Sequence, residues 1–403
     1  MRVVLLVLLA AGTAGSGGVM ALRQRTVWEE RARVAAGKAM ARLAEVRRVR
    51  DEDIRFFEQR VARDPTGAFD LVRLGGLFLR RYRDTGDERE LVAAEQAARR
   101  ALANRRDRNE GALQLLSGAL LGQHRFLESR VVAERLVAES PDDALAQSIL
   151  GEALLELGEY ALADGIFRRL TPRRFEPALA PRYARWLELR GHAGAARRLL
   201  ESARDEAIRA GDAIPLDQRI WYELRLGELA LRFGARREAG HRISAGLALA
   251  PDDWRLLAAA ARLALATGQP ERAIVLGDSS LGRYVDPATL AAVGDAWNRK
   301  GDAARAEEYF RALEAMTGAP SGGFHRAWYL ALLDHGLRIP QVLAAVERDI
   351  RMRRDVYGFD LLAWALFKSG RVAEARAAMA QALAWGTEDP GLAARARAIE
   401  EAR

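Results

Sequence analysis

The stretch Ala144–Leu170, ALAQSILGEALLELGEYALADGIFRRL, decides the fold. Leu150, Gly151 and Leu154 recur at three- and four-residue spacing. Gly158 interrupts them, and Tyr160, Ala163 and Phe167 resume the rhythm. This is the pattern of two helices joined by a tight turn. The same residue types return at Leu226, Gly227, Ala230, Gly234, Ala239 and Ile243. They return again at Leu290, Gly294, Trp297, Gly301, Ala306 and Phe310, and at Ala363, Leu366, Gly370, Ala375 and Met379. Turn glycines fall at 158, 191, 234, 268, 301, 336 and 370, at intervals of 33, 43, 34, 33, 35 and 34. One helical pair cannot bury its apolar face alone, so a fixed period of this length predicts a stacked array. Glycine between the helices takes the left-handed conformation that ends the first, and small residues at the crossing let the backbones approach.

The junctions agree. Ser140-Pro141-Asp142-Asp143, Ala250-Pro251-Asp252-Asp253, Asp286-Pro287 and Asp389-Pro390 combine a helix-stopping proline with carboxylates suited to capping the next helix. No sustained two-residue alternation occurs, which excludes a sheet.

This pattern resembles the tetratricopeptide repeat. The match is full around 144–170, 220–253 and 287–313, and partial around 68–143, 177–210, 254–286 and 356–389. It is poor at 322–354, where Tyr329 and Gln341 stand in the small-residue positions. His124 falls where the second turn glycine belongs. The resemblance implies an all-α right-handed superhelix of about nine hairpins over residues 68–389. A segment at 23–67 precedes it, with Ile54, Phe57 and Val61 facing the first repeat, and a capping helix at 390–403 closes it.

The 403 residues are 50% hydrophobic and 29% charged, which excludes wholesale disorder. With no cysteine, disulfides, thiolate metal sites and a cysteine nucleophile are excluded. The net charge is +8, and all but three of the 63 basic residues are arginine. They alternate with 55 acids along almost every helix, which points to a salt-bridged surface before a nucleic-acid partner. Arg47, Arg48 and Arg50 form a short basic cluster that would suit phosphate or lipid headgroups if it were free. At the N-terminus Arg2 precedes the apolar run Val3–Ala11, and Gly12-Thr13-Ala14 offers a cleavage site. Residues 1–22 read as a secretory signal or as an uncleaved membrane anchor over 3–22, with a plain soluble N-terminus as the remaining reading, so the body is expected to be exported or tethered to a membrane.

No chemistry is visible. There is no His-Glu-x-x-His, no G-x-x-x-x-G-K-S/T loop and no Gly-x-Ser-x-Gly. His325, His335 and Asp334 are the one local cluster of metal-capable types, and their spacing does not supply converging ligands. No cofactor or metal is expected, and the protein is expected not to be an enzyme. In the resembled family the first helix of each repeat lines a concave groove. Its register carries Arg185, Glu188, Trp221, Glu228, Arg262, Asp295, Asn298, Arg326, Tyr357 and Trp364 to that groove, with Asp360 and Phe367 beside them. The ninth position of the unit reads Glu152, Arg185, Glu228, Arg262, Asp295, Leu330 and Trp364. Without asparagine there, a carboxylate clamp for peptide C-termini is unsupported. The expected function is a non-enzymatic scaffold that holds a protein or peptide in this groove, with RNA or DNA binding as the alternative.

Overall fold

The computed structural model describes residues 18–170, 179–316 and 326–402; the start of the signal or anchor segment, His325 and the last residue lie outside them. Every regular element among the described residues is helical. A 46-residue helix α1 (Gly18–Arg63) leads. Nine helical pairs follow. They are α2 (Ala68–Thr85) with α3 (Arg89–Asn104), α4 (Glu110–Gly122) with α5 (Phe126–Glu139), α6 (Ala144–Leu157) with α7 (Tyr160–Arg169), and α8 (Ala180–Leu189) with α9 (Ala193–Arg209). Then come α10 (Leu216–Arg232) with α11 (Arg236–Leu249), α12 (Trp254–Ala266) with α13 (Pro270–Leu281), and α14 (Pro287–Arg299) with α15 (Ala303–Ala315). The last are α16 (Arg326–Asp334) with α17 (Ile339–Asp349) and α18 (Val356–Lys368) with α19 (Val372–Leu383), and α20 (Pro390–Glu401) follows them. The chain is thus an all-α solenoid of tetratricopeptide-type hairpins.

Each hairpin rests on two local features. The first is the turn. The backbone is left-handed at Gly86, Gly158, Gly191, Gly234, Gly268, Gly301, Gly336 and Gly370, and at His124, whose φ is 57°. A hydrogen bond five residues back closes the helix: Glu159 N–H donates to Leu154 O at 2.9 Å, and Arg125 N–H to Leu120 O at 2.9 Å. His124 therefore does glycine's work at a steric cost. The second feature is the crossing. A Cβ on Gly151 would lie 2.6 Å from Phe167, on Gly227 2.9 Å from Ile243, and on Gly294 2.6 Å from Phe310. These are the small and large partners that recur in the sequence, and methyl groups there would push the helices apart. Between hairpins, Asp143, Asp253, Asp286 and Asp389 accept hydrogen bonds from the first turns of α6, α12, α14 and α20. Only the second carboxylate of each Asp-Asp pair caps. Asp252, expected to cap, instead receives Arg47 of α1 at 2.8 Å.

The apolar core runs along the array as a chain of clusters, the largest joining Phe167, Trp186, Leu313, Leu332 and Leu361. Ile54 and Val61 of α1 bury against Leu71 and Leu74 of the first hairpin. Leu43, eleven residues earlier on the same helix, enters a different cluster with Leu216 and Ile220 of α10. The helix spans two levels of the molecule.

Those two levels exist because the array winds back onto itself. Turns of early hairpins meet loops that follow late ones. Arg354 N–H donates to Leu157 O at 3.2 Å. Val356 N–H donates to Tyr160 Oη at 2.7 Å, across 196 positions. Thr387 Oγ1 donates to Leu189 O at 2.6 Å, across 198 positions. A Cβ on Gly158 would sit 2.3 Å from Arg354 O, on Gly191 2.4 Å from Gly386 O, and on Gly86 2.6 Å from the Tyr284 ring. The turns of hairpins one, three and four are thus sealed by the second superhelical level. Those of hairpins five to nine face open space.

Candidate functional site

The winding divides the expected groove. Its inner wall in hairpins three and four faces the entry side of hairpins eight and nine, and side chains bridge the gap. Tyr357 is buried, with the Arg185 guanidinium 5.0 Å and the Arg326 guanidinium 4.4 Å from its ring centre. Its hydroxyl donates to Asp389 at 3.3 Å. Arg185 also pairs with Glu156 at 3.4 Å, and Arg353 reaches the same carboxylate at 2.9 Å. Burial opposes ionisation of Glu156, yet Arg185 and Arg353 outweigh it and hold the carboxyl below the ordinary glutamate range. Arg326 and Arg395 both donate to Asp360, which is fully buried, at 2.5 and 2.6 Å. Glu188 is buried between Arg225 at 2.5 Å and Arg232 at 3.1 Å. Arg185 and Tyr357 therefore meet across the two levels, whereas Glu188 pairs with the next hairpin and Asp360 with Arg326 and with Arg395 of α20. Of these contacts, Arg185 with Tyr357 and Arg353 with Glu156 cross between the two levels and hold them in register, since charges this enclosed are costly to separate.

The other residues assigned to the groove are half-buried or exposed. Trp221 is half-buried against Tyr222 with ring centres 5.3 Å apart. Glu228 pairs with Arg262 at 3.2 Å. Asn298 is exposed. Trp364 is half-buried, stacks on Phe367 at 5.2 Å, donates its Nε1–H to Asp334 at 2.7 Å, and carries Lys368 Nζ 4.9 Å from its ring centre. Asp295 lies 3.1 Å from His335 Nε2, while His335 Nδ1 lies 2.7 Å from Ala331 O. Both imidazole nitrogens face acceptors, so the doubly protonated ring fits best. The hydrogen bond to Asp295 raises the pKa of His335 above the ordinary histidine value against the opposing effect of burial. With both nitrogens engaged, His335 is not free to bind metal alongside Asp334. Among the described residues no group of three metal-capable side chains converges.

Most of these pairs join residues one repeat apart: Glu228 with Arg262, Asp360 with Arg326, Glu152 with Arg182, Glu95 with Arg125 and Glu271 with Lys300. The mixed charge of the wall is a ladder from each hairpin to the next. Acid and base spaced by 29 to 35 residues were the available signal, and they were missed because a groove register assigns positions without asking what the neighbouring repeat presents. The Arg47–Arg48–Arg50 cluster is consumed likewise. Arg47 bridges Asp84 and Asp252, Arg50 pairs with Asp84, and Arg48 lies between Glu45 and Glu52.

The left-handed turns, small-against-large crossings and period are those of a tetratricopeptide-type helical-repeat protein. No family model matches the chain, and neither does any curated protein sequence. Several solved helical-repeat structures are similar. The Cut9 chain of the APC/C hetero-tetramer Cut9–Hcn1 is 14% identical over 84% of this chain and 56% of its own, with a TM-score of 0.48. PilW, a type IV pilus biogenesis factor, is 17% identical over 52% of this chain and 94% of its own, with a TM-score of 0.44. The human IFIT1 dimer with PPP-AAAA is 14% identical over 84% of this chain and 95% of its own, with a TM-score of 0.45. The chain spans just over half the Cut9 chain it matches. At these identities the likeness concerns fold alone.

Proposed function

We propose that the protein is a non-enzymatic scaffold that binds a protein or peptide partner on the outward-opening inner wall of hairpins five to nine. The supporting observation is that wall itself. Trp364 and Phe367 stack half-exposed, Asn298 is exposed, Leu231 and Arg262 are half-exposed on the first helices of hairpins five and six, and all sit on helices already locked by neighbours. Aromatic and arginine anchors on a preorganised surface bind with little ordering cost. The paired arginines weigh against nucleic acid, since a guanidinium committed to a carboxylate in the next repeat offers little to phosphate. An envelope location rests on the apolar run at residues 3–22. Among the described residues no helix is long and apolar enough to cross a membrane. The test is affinity capture from envelope extracts with intact-mass measurement of the native protein. A partner retained by the wild type and lost on Trp364→Ala with Phe367→Ala supports the scaffold. Equal recovery by both places binding elsewhere.

A further inference from the structure

The turns of hairpins five to nine form a rim unlike the turns that the second level covers. The covered turn at Gly86 is flanked by Asp84, Asp87, Glu88 and Glu90 together with Arg83 and Arg89, the one at Gly158 by Glu159, and the one at Gly191 by Glu188 and Arg190. The open rim has a net basic excess: it presents Arg236, Arg237, Arg305 and Lys368, with Lys300 and Arg338 paired to Glu271 at 2.9 Å and Glu314 at 3.7 Å. Arg236 and Arg237 are exposed, and no acid outside its own turn lies against Arg305. Several of these cations rest on apolar rings. Arg305 lies 4.4 Å and Lys300 5.8 Å from the Trp297 ring centre, and Lys368 lies over the stacked Trp364–Phe367 pair. Phe233 is 39% exposed beside Arg236. Cations held over rings are less hydrated than free ones and stay directed outward.

We infer that this rim docks an acidic peptide segment of a partner protein, with carboxylates on the rim cations and apolar side chains on Phe233 and the Trp364–Phe367 pair. It rests on the scaffold proposed above and names the chemistry of its partner. Two other occupants fit less well. A second copy that continued the winding would present inter-hairpin loops of mixed charge to this rim, with Arg105, Arg106 and Arg108 foremost. Single-stranded nucleic acid binds such surfaces by stacking bases on open rings. Here the faces of Trp297 and Trp364 already carry Arg305, Lys300 and Lys368.

The chain's three lysines make the test direct. Lys300 and Lys368 lie on the rim, and Lys38 is exposed on α1, away from it. The probe is a labelled peptide of alternating glutamate and leucine, with a glutamine-for-glutamate version and oligo-dT as comparisons. Full-length protein is titrated by anisotropy and then joined to the peptide with a zero-length carbodiimide. Saturable binding that weakens with salt is expected. So are amide cross-links at Lys300 and Lys368 rather than Lys38, and a loss of about tenfold or more on Arg236→Glu, Arg237→Glu and Arg305→Glu together. The same reversals at exposed Arg105, Arg106 and Arg108 are expected to leave affinity unchanged. Cross-links mainly at Lys38, an equal loss from the two sets of reversals, equal binding of the glutamine peptide, or tighter binding of oligo-dT would each overturn the proposal. If the rim fails while Trp364→Ala with Phe367→Ala still loses a native partner, the scaffold stands and only its acidic partner is refuted.

Discussion

At the residue scale, the turn glycines carry two different loads. Gly158 and Gly301 both have a positive φ, 79° and 80°. Around Gly301 a methyl group would meet nothing, whereas at Gly158 it would meet Arg354 O. Gly301→Ala is therefore expected to cost only the left-handed penalty, about 1–2 kcal/mol. Gly158→Ala is expected to cost distinctly more and to loosen the second level from the first. Urea melts of the two variants check this, and equal losses would mean that Arg354 does not press on that turn. His124, with φ 57° at the equivalent position, shows that the backbone demand belongs to the hairpin and that glycine is its cheapest solution. The turn glycines were legible because that demand is local. The additional contact at Gly158 was not, since its partner lies 196 residues downstream.

At the scale of elements, hairpins were readable and their pairings with distant helices were not. The crossings of Gly151 with Phe167 and Gly294 with Phe310 lie within one repeat, so periodicity exposes them. Ile54 and Val61 on α1 pack as their spacing predicts, but Leu43 on the same helix reaches Leu216 and Ile220, a contact with no periodic signature. Charged pairs between repeats supply register more than stability, since exposed ones contribute roughly 0–1 kcal/mol. His335 is the instructive case, because it pins α16 to α14 through Asp295 and stacks 4.4 Å from Phe310. The groups facing it are Asp295 on α14 and Asp334 on its own helix. Its folded pKa is raised, so its stabilising contribution is complete below the unfolded histidine value and is lost as pH rises through the folded one. Wild-type stability is expected to fall across that interval relative to His335→Gln, as measured by paired thermal melts. Parallel profiles would mean the imidazolium is not what joins these helices.

At the scale of the molecule, a groove register treats each repeat alone, and Tyr357 with Arg185 shows what it leaves out once the array winds back on itself. Arg185 and Tyr357 are 172 positions apart, and only the superhelical pitch brings them together. No single repeat encodes that pitch. It accumulates from small rotations at each crossing, and its consequence is that turns of early hairpins are covered while those of hairpins five to nine are not.

The chain has no cysteine, so a pair can be introduced without altering any native residue for background. Glu159 follows Gly158, and Arg354 lies against that glycine from the second level. Glu159→Cys with Arg354→Cys, treated with a short bis-maleimide, is expected to give one intramolecular cross-link in monomeric protein, while Glu159→Cys with Asp302→Cys gives none. A failure of the first pair to join, with both thiols shown to be reactive, would mean that the two levels do not touch and that the wall is open along its whole length.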